Sequence, residues 1–415
     1  MARPPAPLVA EVIAIGSEML FAGRVDTNSS FIAAHLDRFG VPLVAKTIVG
    51  DDVATIRKAL AIALTRSDFI FLTGGLGPTE DDLTREAASE ALGLELVYHP
   101  KIVDEIEARF QRLGRKMPEI NRRQGYVLET ARALENNYGT APGQYLVFEG
   151  RHIFLLPGPP RELRPIVERH LISLLQDLGL RPGARRYFRV AGLPESQADS
   201  LISPIYRRYP TIRCTILASP GDIEIYFLAD HDGNELQELT AKVAAALGDN
   251  VFATEEINLE DAVGRMLAAR RVTLSVAESC TGGMLGETIT RTPGSSAYFL
   301  GGVLAYSNAL KEQLLDVSPE ILAQHGAVSG AAAEAMAQGI RRRTGSDFAL
   351  SITGIAGPDG GTEEKPVGTV FIGLSDATKT TAHRYQLGGE RSLVRLLSVR
   401  TALNLLRKEL QRNRS

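Results

Sequence analysis

The sequence predicts an α/β protein built from more than one layered domain, and three observations predict it. Apolar β-type runs at 8–15, 42–49 and 68–73 alternate with helical patterns at 29–39 and 53–65. This is the rhythm of βαβ units and a mostly parallel sheet. A comparable mixture of strands and helices returns over 258–415. At 415 residues the chain also exceeds one ordinary domain, since roughly 100–200 residues make one.

The first block, 1–174, continues with helical stretches at 81–92 and 101–113 and an apolar strand at 151–156. That strand runs into Pro157-Gly158-Pro159-Pro160, and a helix follows over 161–178, with prolines where a helix start tolerates them. Gly, Pro and Arg dominate 179–186, which reads as a linker. A small second block, 180–255, carries a strand at 187–190, a helix at 195–206, strands at 211–217 and 223–228, and a helix at 235–247. The turn Ser219-Pro220-Gly221-Asp222 has hairpin chemistry, and the block reads as an α+β connecting domain without a catalytic cluster. The third block, 258–415, places strands at 272–277, 298–305, 347–352, 367–374 and 379–386. Its helices are expected at 259–268, 284–291, 309–315, 331–342 and 390–409.

Composition excludes several classes. Hydrophobic residues make up 44% and charged residues 23%, with a net charge of −3, so no global field favours nucleic acid or an anionic membrane. The run Arg341-Arg342-Arg343 reads as the solvated end of a helix. Two cysteines, Cys214 and Cys280, exclude a disulfide framework and a four-cysteine zinc site. The opening 1–7 has three prolines and no signal-peptide core, and no later run spans a bilayer. A cytoplasmic protein is expected, with a symmetric homodimer preferred on general grounds.

Two stretches carry chemistry. Glu278-Ser279-Cys280-Thr281-Gly282-Gly283 lies between a β-type run and a helical segment. A turn there offers free N–H groups at a helix start, fit to bind an anion, carry a nucleophile, or both. A Ser/Thr cap followed by packing glycines is the competing interpretation. In the first block, Thr73 to Thr84 leaves a strand through Gly74, Gly75 and Gly77 and meets Glu80, Asp81 and Asp82. Glycines let backbone N–H groups approach phosphates. Acids beside such a cradle suggest a divalent cation between them and the phosphates; alternatively they only complement the helix dipole.

The glycine run resembles the loop of the molybdopterin-binding fold and, in this form, the N-terminal domain of the CinA family. Gly16-Ser17-Glu18, Asp26-Thr27-Asn28-Ser29, Asn121-Arg122-Arg123-Gln124, Gly139-Thr140-Ala141-Pro142-Gly143 and Leu156-Pro157-Gly158-Pro159-Pro160 match in order. The third block resembles the CinA C-terminal domain through the hexapeptide, Gly294-Ser295-Ser296, Tyr306-Ser307-Asn308 with Lys311, and Gly326-Ala327-Val328-Ser329. Thr353 to Gly361 and Lys365-Pro366-Val367-Gly368-Thr369 complete that match.

The resemblance implies a molybdopterin-binding-like α/β domain, a small α+β domain and a CinA deamidase domain. It implies hydrolysis of nicotinamide mononucleotide without a cofactor in the third block. In the first it implies divalent-metal-dependent cleavage of ADP-ribose, with Asp82 foremost for the metal and Asp81 and Glu80 beside it. Gly74, Gly75, Gly77 and Asn28 are the expected substrate contacts there. For amide hydrolysis, neither His325 nor His383 sits in a Gly- or Ser-rich turn, so a Ser-His triad is not favoured. A lysine can act as base when its pKa is lowered, and the resemblance supports Ser279 with Lys311. The Tyr306 phenol is expected to relay or position the proton, and N–H groups of Cys280–Gly282 to hold the oxyanion. Cys280 is the rival nucleophile, although neighbouring residues leaving a strand point to opposite sides. Thr281, Gly282 and Gly283 are expected to border the substrate. Gly354, Gly357, Gly360 and Gly361 are expected to hold its phosphate, with Arg391 a further partner. The contrasting reading is a regulatory protein tied to competence or DNA damage, or a molybdopterin-binding protein, with one or both sites idle.

Overall fold

The computed structural model describes residues 8–412; the proline-rich opening at 1–7 lies outside them. The chain forms two compact units, Met1–Gly183 and Ala184–Ser415. Their boundary falls inside the Gly/Pro/Arg stretch expected to link blocks.

In the first unit six strands form one sheet, in the order Leu43–Val49, Ala10–Ile15, Phe69–Thr73, Arg151–Leu156, Gly143–Phe148, Arg132–Leu134. The first four run parallel, and Gly143–Phe148 runs antiparallel to both of its neighbours. Strand periodicity divides the core into two layers. Ile13 and Ile15 pack with Ile56 and Leu60 of helix Val53–Leu64, whereas Val12 packs with Ile32 and Leu36 of helix Asn28–Asp37 and with Leu163 and Ile166 of helix Pro160–Asp177. Ala10–Ile15 lies between the two strands that come next in sequence, so the chain leaves it in opposite directions. A crevice opens at the carboxyl ends at such a switch point.

The second unit contains two sheets. Ala184–Val190, Glu195–Tyr206, Arg213–Ser219, Asp222–Ala229, Asn234–Leu247 and Val251–Ala253 adopt a βαββαβ order. Their four strands make an antiparallel sheet. This segment is tied to the remainder of its unit. Ala191 joins the core cluster of Leu259, Val263 and Leu267, and the buried Arg407 donates to the carbonyls of Asp249 (2.7 Å) and Val251 (3.2 Å).

The other sheet has the order Phe299–Leu304, Leu274–Glu278, Phe348–Gly354, Thr369–Ser375, Thr380–Gln386. Its first three strands are parallel, and Thr369–Ser375 runs antiparallel to both of its neighbours. Leu274, Val276, Leu350 and Ile352 face helices Leu259–Arg270 and Arg391–Arg412, while Ala277 and Ala349 face helix Gly330–Thr344. Leu274–Glu278 again sits at a switch point, and Ser279 is the first residue beyond it. No helix of the described residues is long and apolar enough to cross a membrane.

Candidate functional site

Ser279 is pinned at the strand end by its own N–H, which donates to Ile352 O at 3.0 Å. Next to it, Ala305 N donates to Glu278 O at 2.8 Å, carrying the chain into helix Asn308–Leu315. Ser307 caps that helix by accepting from Leu310 N, and the helix turns Lys311 back under the strand ends. Lys311 Nζ lies 3.1 Å from Ser279 Oγ, 2.9 Å from Ala305 O and 3.1 Å from Tyr306 O. Lys311 is 1% exposed and Ser279 8%. Among the described residues no carboxylate pairs with this lysine, and burial pushes its pKa down from 10.5.

Those three contacts account for every proton of an ammonium. As a neutral amine, Lys311 keeps two donors for the carbonyls and turns its lone pair to the serine hydroxyl. The two fixed carbonyls thus aim the base at Ser279.

Cys280 occupies a different environment. It is buried in the apolar cluster with Leu285 and Ile352, and burial pushes its thiol up to about 11. Such a thiol stays protonated at neutral pH and is a poor nucleophile.

The helix start behind the serine differs from the sequence expectation. Its N–H groups are not free: the buried carboxylate of Glu278 accepts from Gly283 N (3.1 Å), Leu285 N (3.0 Å) and Gly286 N (2.8 Å). Gly282 N donates to Ser279 O at 3.1 Å. Of the expected oxyanion donors, Cys280 N and Thr281 N alone lack an acceptor among the described residues.

Tyr306 also departs from expectation. Its carbonyl, not its phenol, touches Lys311; the ring is 58% exposed and its hydroxyl accepts from Arg391 at 3.2 Å. Arg391 also donates to Gly357 O at 2.8 Å, joining the second glycine loop to the edge of the serine site. One helical turn later, Arg395 donates to Thr281 O at 2.6 Å, and a Cβ on Gly282 would come within 3.3 Å of its guanidinium. Arg391 and Arg395 line an open cleft of about 730 Å³ with Ala356, Gly357 and Pro358. Gly354, Gly357 and Gly361 leave no room for a Cβ against Val367 and Val370, whereas Gly360 has only the ordinary contact of Ile355. The N–H groups of Ala356, Gly357, Asp359, Gly360 and Gly361 have no acceptor among the described residues.

In the first unit, Gly16, Gly74 and Gly158 succeed three adjacent parallel strands. A Cβ on Gly74 would strike Ile15 O, and one on Gly75 would strike the hydroxyl of Thr84. Arg85, almost fully buried, props the loop from beneath by donating to Leu76 O (2.7 Å) and Gly77 O (3.0 Å). The loop borders a cleft of about 370 Å³ whose carboxylates are Glu18, Asp51, Asp81, Asp82 and Glu162. Asp82 folds back over Gly77 and accepts from Thr79 N (2.9 Å) and Thr79 Oγ1 (2.5 Å) through one oxygen. Glu80 is exposed and is not part of the lining. Asn28 borders the adjoining cleft; its amide donates to Gly158 O at 2.8 Å, while its buried Oδ1 has no partner.

No three acidic, histidine or cysteine side chains converge on a metal position among the described residues. The donor set is nonetheless all oxygen, which suits a hard divalent cation that takes one or two carboxylates and fills its shell with water and phosphate.

Sequence comparison covers both units. Residues 256–410 match the family model described as CinA C-terminal domain, and residues 11–177 match the one described as probable molybdopterin binding domain. A CinA-like protein of Solibacter usitatus is 46% identical over 97% of this chain and 98% of that protein.

The chain belongs to the CinA family.

Another CinA-like protein, from Koribacter versatilis, is 43% identical over 97% of this chain and all of that protein. Among solved structures, a CinA superfamily protein of Klebsiella pneumoniae is 36% identical with a TM-score of 0.36, covering 37% of this chain and 96% of that one. For this CinA family member, sequence reasoning gave Glu278 no role within its hexapeptide and missed Arg395 and Arg85. Each is a charged residue whose partners are backbone atoms of a loop, and pattern alone does not distinguish such a residue from a solvated one.

Proposed function

We propose that the second unit hydrolyses the carboxamide of nicotinamide mononucleotide, giving nicotinate mononucleotide and ammonia. The observation that carries this is the buried, acid-free Lys311 amine 3.1 Å from Ser279 Oγ. Ser279 Oγ attacks the carboxamide carbon while its proton passes to Lys311 Nζ. The oxyanion that forms lies against the N–H groups of Cys280 and Thr281. Breaking the C–N bond returns the proton from Lys311 to the leaving nitrogen and leaves an ester on Ser279. Water, deprotonated by the same amine, then cleaves the ester. The open N–H groups around Gly357–Gly361, with Arg391, suit the 5′-phosphate. Ammonia release without added metal, lost in Ser279→Ala, is the test.

For the first unit we propose cleavage of the pyrophosphate of ADP-ribose in the glycine-loop cleft. Asp82 and Asp81 would hold a divalent cation, which would supply charge neutralisation to the pyrophosphate. Gly74, Gly75 and Gly77 let the chain approach those phosphates, and Asn28 offers its unpartnered Oδ1 to the substrate. A second reading, binding of a molybdopterin-like ligand without hydrolysis, is favoured by the match of residues 11–177 to the probable molybdopterin binding domain. Metal-dependent turnover of ADP-ribose separates the two: its presence supports hydrolysis, and ligand binding without turnover supports the other.

A further inference from the structure

We infer that Glu278 is a positioning residue for the Ser279–Lys311 pair, acting through the loop and never touching substrate. This rests on the amide-hydrolysis reading above.

Glu278 ends the strand that delivers the serine and is 3% exposed, with no cation paired to it among the described residues. Its charge is answered instead by the three N–H groups of Gly283, Leu285 and Gly286. A carboxylate held this way is stabilised at the helix start. The three donors close the loop Ser279–Gly283 onto helix Met284–Thr290. They also withdraw the first helical N–H groups from competition for an oxyanion, leaving those of Cys280 and Thr281. On the other side, the Glu278 carbonyl accepts from Ala305 N, and Ala305 O and the next carbonyl hold Lys311 Nζ. One residue therefore ties the nucleophile's loop to the carbonyls that aim its base.

A carboxamide of equal size at this position keeps one acceptor and turns an NH₂ toward an N–H donor. Glu278→Gln is expected to lower kcat roughly 100-fold through sub-ångström misplacement, with KM for nicotinamide mononucleotide unchanged. Ile289→Ala, a buried change on the same helix outside the site, serves as the stability control and should lower Tm while keeping kcat. Gly286→Pro removes one of the three bonds without removing the charge, and proline is tolerated in a first turn. It should lower kcat by an intermediate factor, and it decides alone if Glu278→Gln does not fold. Wild-type kcat in the folded variant, or a loss no larger than Ile289→Ala shows at equal Tm, overturns the assignment. A wild-type protein that releases no ammonia instead overturns the amide-hydrolysis reading itself.

Discussion

Lys311 and Ser279 meet at 3.1 Å although Ser279 ends one strand and Lys311 lies on the helix that follows another, and the carbonyls of Ala305 and Tyr306 take the other two contacts of the amine. No acid neutralises this amine among the described residues, and burial lowers its pKa against a smaller opposing effect of Cys280.

Activity should therefore rise with pH as Lys311 loses its proton, with an inflection below its ordinary 10.5. Lys311→Arg should remove that limb together with most of the rate, because a guanidinium does not deprotonate. A pH–rate profile of kcat/KM checks this. Stability depends on the same proton. Between the depressed folded value and the unfolded one, the unfolded chain holds more protons, so stability climbs with pH across that window. Below the folded value the cost of burying the charge is constant. Chemical denaturation of wild type and Lys311→Met at several pH values reads the difference.

Cys280→Ala should keep ammonia release within about threefold, since a thiol held near 11 contributes no thiolate at neutral pH. The substitution should cost about 1 kcal/mol of stability for the small cavity it leaves. Alkylation of Cys280 at neutral pH should be slow for the same reason.

Tyr306→Phe separates the two roles a tyrosine can play here. Its phenol meets Arg391 at the exposed edge, and its carbonyl survives the change. A loss under about tenfold, mainly in KM, is expected. Arg391→Ala should raise KM further, because it also releases Gly357 O. A 1000-fold fall of kcat in Tyr306→Phe would restore the phenol as a proton carrier.

In the first unit, Asp82→Ala should reduce metal-dependent ADP-ribose cleavage on the order of 100-fold, whereas Glu80→Ala should leave it unchanged. Titrating the metal in both variants, with Tm as a control for the lost Thr79 contacts, checks the assignment. Equal losses would place Glu80 in the site despite its outward position.

The strand-to-helix turns were legible because glycine, serine and clustered acids directly succeed β-type runs. The Ser279–Lys311 pairing was legible through family resemblance; spacing alone says nothing about two residues brought together by a crossover. Less visible were the antiparallel strands Gly143–Phe148 and Arg132–Leu134, whose short, mixed patterns carry little periodicity. The role of Glu278 was not legible either, although the hexapeptide that it opens was. A carboxylate at a strand end reads as solvated until the chain folds back and hands it three N–H groups. Likewise, nothing in the composition of 180–255 announces that Arg407 will reach its backbone from the far end of the chain.

Ammonia release from nicotinamide mononucleotide, measured without added metal on wild type and Ser279→Ala from parallel preparations, decides whether the Ser279–Lys311 pair hydrolyses the amide. Steady release by the wild type and at least a roughly 1000-fold loss in the variant is the predicted result. Full activity in Ser279→Ala, or none in the wild type, would contradict it.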